Sequence, residues 1–331
     1  MIRHQIILLI LAFAVQTSQA GDKSSIFING EKVEQLWNSG TFTEGVAAGP
    51  DGKVYFSDIS RSADQKGRIM KYSPRTGKTT VHSADSGNSN GLMFNRDGKL
   101  IACCGSNTGK MALCSVTAKG RMKVIVDSYQ GKRLLSPNDL VIHPNGTIYF
   151  SDPRYIGPEP MELDHMSVYR LDKDGSLHRV TKTIEKPNGV MVSPDGKTLY
   201  VAETNNGSTS LENRATAKLG RMTLNAFPIN ADGSLGKKKV LVDFGDQLGT
   251  DGMTVDTAGN IYAAVRSAKR FGIRVYNPAG KEIAAIATEV LPTNVCFGTG
   301  KEISTLYITA GTGLYRVKTN ATGFHPALGK P

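Results

Sequence analysis

The chain is 331 residues long and carries a net charge of +11, with 21% of its residues charged. Its basic residues are scattered, Lys237-Lys238-Lys239 being the one tight run, which excludes the basic, aromatic-laced stripe that nucleic acid requires. Beyond the leader no stretch of 18 apolar residues occurs, so no membrane anchor is expected there, and the four cysteines lack zinc-ligand spacing.

The first element is that leader. Arg3 supplies positive charge, Ile6 to Val15 is an apolar run too short to span a bilayer, and Ser18-Gln19-Ala20 is a small-residue cleavage site. The expectation is an exported protein, periplasmic or secreted after cleavage near Ala20, with residues 21–331 forming one domain. An oxidising compartment could join Cys104 to Cys114, although buried free thiols suit Cys103, Cys104, Cys114 and Cys296 equally well.

From residue 42 onward short strands follow one another. The first unit predicts Phe42–Ala48, a turn at Asp51-Gly52, then Val54–Ser57, Arg68–Tyr72 and Thr79–His82. Turn glycines recur at Gly52, Gly98, Gly146, Gly196 and Gly259, spaced by 46, 48, 50 and 63 residues, each just ahead of a β-rich run. Strand-rich repeats of this period indicate propeller blades. The turns read as type I′ hairpins, in which Asp51, Asp97, Asn145 and Asp195 serve turn chemistry only. The longest spacing holds a polar insertion, Asn205 to Leu219, expected to lie over one face of the ring. Trp37 is the single tryptophan and no Gly-Gly pair occurs, so WD40 and kelch blades fit poorly. A segment around Val33–Trp37 is expected to complete the last blade beside Leu314–Val317, making an all-β, six-bladed β-propeller with no free sheet edge.

Eight residues before each turn glycine stand Glu44, Asn90, Asn138, Asn188 and Asp251, and Asn294 fits a sixth unit with a longer turn. An oxygen-bearing side chain at one place in every copy is gathered around the ring axis. Singly, Asn90-Gly91 or Asp251-Gly252 could be an ordinary turn, but Glu44 is a poor turn former and each member precedes an apolar strand. Carboxylates with amide carbonyls form an all-oxygen set, which favours Ca²⁺ or Mg²⁺ over softer ions. Glu44 and Asp251 would balance a divalent charge, and histidine is absent from the register. An open coordination position would let the ion polarise a carbonyl or activate water. The match of Gly87-Asn88-Ser89-Asn90-Gly91 to a serine-hydrolase elbow lacks the required helix, so Ser89 is not read as a nucleophile. Asp139 reads as a carboxylate beside the ligands rather than among them, since successive strand side chains point apart.

Ser-Pro-Asn-Asp-Leu-Val (136–141), Phe-Ser-Asp-Pro-Arg-Tyr (150–155), Lys-Pro-Asn-Gly-Val (186–190), Thr-Asp-Gly-Met-Thr-Val-Asp (250–256) and Thr-Asn-Val-Cys-Phe-Gly (293–298) carry a family likeness. Over residues 40–318 the chain resembles the senescence marker protein (regucalcin) and gluconolactonase family, six-bladed propellers with one divalent metal on the axis. The resemblance implies that Glu44, Asn138, Asn188 and Asp251 are the metal ligands and that Asp251 is also the catalytic acid/base. It implies one divalent cation, Ca²⁺ first and Mg²⁺, Mn²⁺ or Zn²⁺ after it, and a small-molecule lactone or ester as substrate. Asn90 and Asn294 are expected to complete the substrate rim. Sugar-lactone members often carry arginine where this chain has Gly105-Ser106-Asn107 or Ser136, so the lactone-hydrolase class is implied more firmly than the sugar. Two alternatives are phosphotriester or fluorophosphate hydrolysis on the same metal and a non-catalytic, calcium-containing binding propeller. A monomer is expected.

Overall fold

The computed structural model describes residues 25–328 except 63, 211, 214 and 215, so the expected leader lies outside the described residues. Among the described residues there are six four-stranded antiparallel sheets and one two-stranded ribbon, Ser128–Tyr129 with Lys132–Arg133. Their inner strands are Thr43–Ala48, Ser89–Phe94, Leu140–Ile142, Pro187–Val192, Thr250–Val255 and Pro292–Phe297. Each inner strand packs on the next and the last returns to the first, which closes a six-bladed propeller. Helix is confined, among the described residues, to two short 3₁₀ turns, Gly300–Glu302 and Pro326–Leu328.

Five blades run inner to outer in chain order, and the sixth closes the ring. Its outer strand is Glu34–Trp37, paired antiparallel with Gly313–Lys318 through Glu34↔Arg316 and Gln35↔Tyr315. Hydroxyl groups stitch the seam further: Thr43 Oγ1 donates to Gly313 O at 2.7 Å and Thr293 Oγ1 to Thr43 O at 2.8 Å. A closed ring leaves no edge strand unpaired at its axis.

The blade turns differ from the type I′ expectation. Gly52 has a φ of 71°, but Asp51, Asp97, Asn145 and Asp195 do not have positive φ. Gly52 N donates to Gly49 O at 3.0 Å and Gly49 N to Lys53 O at 2.7 Å, and the pattern recurs at Gly98, Gly146 and Gly259. This is a three-residue loop in which a type I turn feeds a left-handed glycine. The acid ahead of the glycine serves the turn with its side chain, Asp51 Oδ1 accepting from Lys53 N at 3.2 Å.

Five of the six inner strands are irregular where their polar register residue sits, Leu140–Ile142 pairing without a slip. The pairing slips between Glu44 and Ala47, Ser89 and Leu92, Pro187 and Val190, Thr250 and Met253, and Pro292 and Asn294. A bulge re-aims a side chain, and here it lets neighbouring backbones meet near the axis. A Cβ on Gly45 would lie 1.8 Å from Asn90 O, and one on Gly189 2.4 Å from Asp251 O, so only glycine fits at either place. The residue following each register position is therefore glycine in four blades, with Asp139 and Val295 in the other two.

Candidate functional site

Glu44, Asn90, Asn138, Asn188 and Asp251 line one open cavity of about 460 Å³, together with Arg61, Tyr155 and Arg266. Asn206, Ala217 and Leu219 of the long insertion also line it, so that loop does lie over the axis. Asn294 does not join them. It lies with Asp139 in a second space of about 50 Å³, further along the inner strands and flanked by Phe324 to Leu328. There its Oδ1 accepts from Val295 N at 2.8 Å, turned toward its own strand. The structure therefore places Asn294 beside Asp139, whose carboxyl its side chain also bonds, in a space separate from the cavity where it was expected to complete the substrate rim.

Asp139 occupies a place that glycine holds in four other blades. Its carboxyl accepts from Leu140 N at 2.9 Å and from Val190 N at 3.4 Å, tying the third inner strand to the fourth. Burial pushes its pKa up to about 7 against the lowering effect of those N–H groups. It is thus a buried strap beside Asn138. Ser89 is fully buried and its hydroxyl meets that of Ser57 at 2.8 Å, as befits a strand residue rather than a nucleophile.

Two carboxyls sit at the floor of the open cavity. Burial raises the pKa of Glu44 well above the usual range, and the charge of Asp251 raises it further. Burial also raises Asp251, opposed by the Arg266 guanidinium and by the Asn188 amide. Arg266 Nη1 donates to Asp251 Oδ2 at 3.1 Å and to Pro292 O at 3.1 Å, which fixes the carboxylate to the neighbouring blade. Tyr155 is held by its hydroxyl on Thr204 O at 3.0 Å, and Lys186 lies 4.8 Å above its ring. Burial lowers Lys186 to about 8 while its Nζ donates to Asn206 Oδ1 at 3.0 Å, anchoring the start of the insertion.

Among the described residues no three His, Cys, Asp or Glu side chains converge as a metal cluster. The set here is two carboxyls and two amides, and its chemistry fits a hard divalent cation that favours oxygen. Two buried acids, each raised by burial and Glu44 further by the charge of Asp251, gain from a cation placed between them.

How the chain holds these groups was not read from the sequence. Asp58 Oδ1 accepts from Thr41 N at 2.7 Å and Phe42 N at 3.2 Å, just ahead of Glu44. Asp152 accepts from Leu135 N at 2.9 Å and Ser136 N at 2.6 Å, just ahead of Asn138. Glu203 Oε1 accepts from Glu185 N at 2.7 Å, just ahead of Asn188. In three blades, then, an acid ending the second strand buckles the backbone two or three residues before the site residue. Arg154, 1% exposed, adds bonds from Nε and Nη2 to Leu135 O at 3.2 and 2.8 Å. The signal was available: Tyr-Phe-Ser-Asp occurs at 55–58 and 149–152, and Tyr-Val-Ala-Glu at 200–203.

Residues 42–312 match the SMP-30/gluconolactonase/LRE-like region. The chain belongs to that family. Its sequence is 30% identical over 243 residues to a gluconolactonase of Zymomonas mobilis, a match covering 71% of this chain but 64% of that relative. The solved structure of a gluconolactonase from Xanthomonas campestris superimposes with a TM-score of 0.75 at 28% identity, covering 89% of this chain and 91% of that one. A calcium-binding protein, regucalcin of Agrobacterium tumefaciens, shares the fold with a TM-score of 0.69 at 21% identity, covering 91% and 98%. Cysteine oxidation has no counterpart in this family member's structure, where all four thiols are free and Cys103, Cys104 and Cys114 are buried.

Proposed function

We propose that this chain opens a lactone to its hydroxy acid in a metal-dependent hydrolysis. The observation that carries the reading is the meeting of Glu44, Asp251, Asn138 and Asn188 at the floor of one open cavity, in a chain whose relatives include gluconolactonases. Those four side chains would hold a divalent cation, Ca²⁺ by the hardness of the donor set. When bound, the cation supplies a Lewis acid toward the lactone carbonyl.

The chain's own residues do the rest. Asp251 accepts a proton as a water oxygen bonds to the acyl carbon, and returns it to the ring oxygen as the acyl C–O bond breaks. Arg266 keeps Asp251 in place through its bond to Oδ2 and its second hold on Pro292 O. Asn90 lines the same cavity and would orient the substrate. The sugar-derived character of the ring is supported by the relatives' names. The leader-like segment at residues 1–20 supports export, and the mass of the mature N terminus tests it.

The test is turnover of a lactone panel and a phosphotriester panel, with and without chelator, in wild type and Asp251→Asn. Chelator-sensitive lactone opening that falls by about 10³-fold in the folded variant is expected, within the range for loss of an acid/base group. Phosphotriester turnover alone, or tight lactone binding without hydrolysis, would replace this reading.

A further inference from the structure

The cavity above the site is divided in its chemistry. Away from the Glu44–Asp251 floor its wall includes Phe42, Ile59, Ile156, Leu219 and Leu248. Leu219, on the insertion, is 48% exposed although it borders a catalytic cleft. A ligand that covers such a side chain, together with its apolar neighbours in the wall, gains by taking them out of water.

Four polar side chains of the same wall, Asn88, Ser136, Asn206 and Tyr155, are committed inward. Asn88 donates from Nδ2 to Ser106 O at 2.9 Å and accepts at Oδ1 from Ser60 N at 3.2 Å. Ser136 Oγ accepts from Ser106 N at 2.9 Å and meets its hydroxyl at 3.0 Å. Asn206 Oδ1 is taken by Lys186, and the Tyr155 hydroxyl donates to Thr204 O. A polyhydroxylated substrate gives up water bonds on entry and needs partners in exchange, at a cost for each group left unpaired. This wall has few to offer. Its volume of about 460 Å³ also exceeds what a bare lactone ring of about seven heavy atoms would fill, given about 30 Å³ for one water.

We propose that the substrate is a lactone carrying an apolar alkyl or aryl substituent, its ring on the Glu44–Asp251 floor and its substituent against Phe42, Ile59, Ile156, Leu219 and Leu248. This rests on the hydrolase reading above but puts an apolar-substituted ring in place of the sugar-derived one that the relatives' names support. The substituent displaces water from Leu219 and Leu248, and binding rises with the apolar area covered.

The experiment measures kcat/KM of the metal-loaded protein on δ-valerolactone, δ-decalactone and glucono-δ-lactone. The first two share a ring and differ by an alkyl chain. A δ-decalactone to δ-valerolactone ratio of roughly ten to a hundred is expected, the scale on which a few methylenes discriminate in an apolar pocket. Leu219→Ser and Phe42→Ser, each checked for fold by circular dichroism, should shrink that ratio by about three- to tenfold, since each removes part of the apolar wall. A ratio near one, a preference for glucono-δ-lactone, or ratios untouched in both variants would overturn the proposal while metal-dependent lactone opening still stood. Absence of turnover on all three probes would remove the hydrolase reading, and this inference with it.

Discussion

Blades 1, 3 and 4 and blades 2 and 6 are built on one plan, yet differ at a single place in the second strand. The position paired with the start of the inner strand is Asp58 opposite Thr43 and Glu203 opposite Pro187, with Asp152 in the corresponding place. In blade 2 it is Cys104 opposite Ser89, and in blade 6 Ala310 opposite Pro292. The acids are buried: Glu203 and Asp152 are fully inaccessible. Burying a carboxylate costs several kcal/mol unless it is well bonded, so its recurrence needs a reason. The three acids fasten the approach to Glu44, Asn138 and Asn188, the proposed ligands. Cys104 instead donates its thiol to Ser86 O at 3.4 Å, and Ala310 offers nothing. Blade 5 takes a third course, since Val265 stands opposite Thr250 and the adjoining Arg266 grips Asp251 itself. The reinforcement of a blade thus tracks whether its register residue is one of the four proposed ligands.

The widest break of that comparison is at the ligands themselves. Glu44→Gln leaves an oxygen donor but removes half of the proposed anionic charge, and should weaken divalent binding by about 100-fold or more. Asn294→Ala, on the unreinforced sixth blade, should change it by less than about threefold, because Asn294 bonds its own strand outside the open cavity. Calorimetric titration of metal-stripped protein measures both. Equal losses in the two variants would dissolve the division between the blades.

Next comes the buckle. Asp152→Ala strands the N–H groups of Leu135 and Ser136 and leaves Arg154 with Glu159 as its remaining acidic neighbour. Removing one partner of such a buried, charged network costs about 3–5 kcal/mol. Chemical denaturation should register that loss. Metal affinity should fall with it by about 10- to 100-fold, as for other groups that orient a ligand. A variant that loses stability but keeps full affinity would make the acid a purely structural feature.

Much of this molecule was legible in residues 42–318. The period of the turn glycines and the apolar runs after them marked six blades, because a closed ring demands the same hairpin geometry in each copy. Glu44, Asn138, Asn188 and Asp251 came from the same register, and the cavity gathers them. Other features were hidden for physical reasons. Asn294 shares its space with Asp139 rather than with the open cavity, a long-range pairing that its place in the register does not reveal. Arg266 and Arg154 act through bonds to carbonyls and acids distant in sequence, which no spacing rule reveals. The turns were misread because Asp-Gly serves a type I loop with a glycine bulge as readily as type I′, and the loop length decides.

Solution pH sharpens the same contrast more gently. Burial pushes the Asp152 carboxyl up to about 7, against about 3.9 in an unfolded chain. The folded state therefore keeps a proton that the unfolded state has released. The stability from this group is full below about pH 4 and is lost as pH rises through about 7. Between pH 5 and 8 the wild type should lose stability relative to Asp152→Asn, whose amide does not titrate, by on the order of 2 kcal/mol. Urea midpoints at pH 5, 6.5 and 8 give the two profiles, and parallel curves would count against the raised pKa.

The smallest effect belongs to the blade without an acid. Cys104 is fully buried, and its hydrogen bond with Cys114 together with that burial raises its pKa, so the protonated thiol gives only weak hydrogen bonds where Asp58 and Asp152 receive strong ones. Cys104→Ala removes those bonds and leaves a space the size of one sulfur atom. The expected cost is about 1–2 kcal/mol, from weak bonds and a small cavity. Asn90 is not among the proposed ligands, and Cys104 touches the carbonyl of Ser86 rather than an N–H ahead of a ligand. Metal affinity should therefore hold within about twofold, since no ligand-orienting bond is lost. The paired measurement is a denaturation curve and a metal titration on one variant. If Cys104→Ala lowered affinity as Asp152→Ala does, the position would matter in every blade whatever its chemistry. Loss of stability alone ties the recurrent acid to the ligand it precedes.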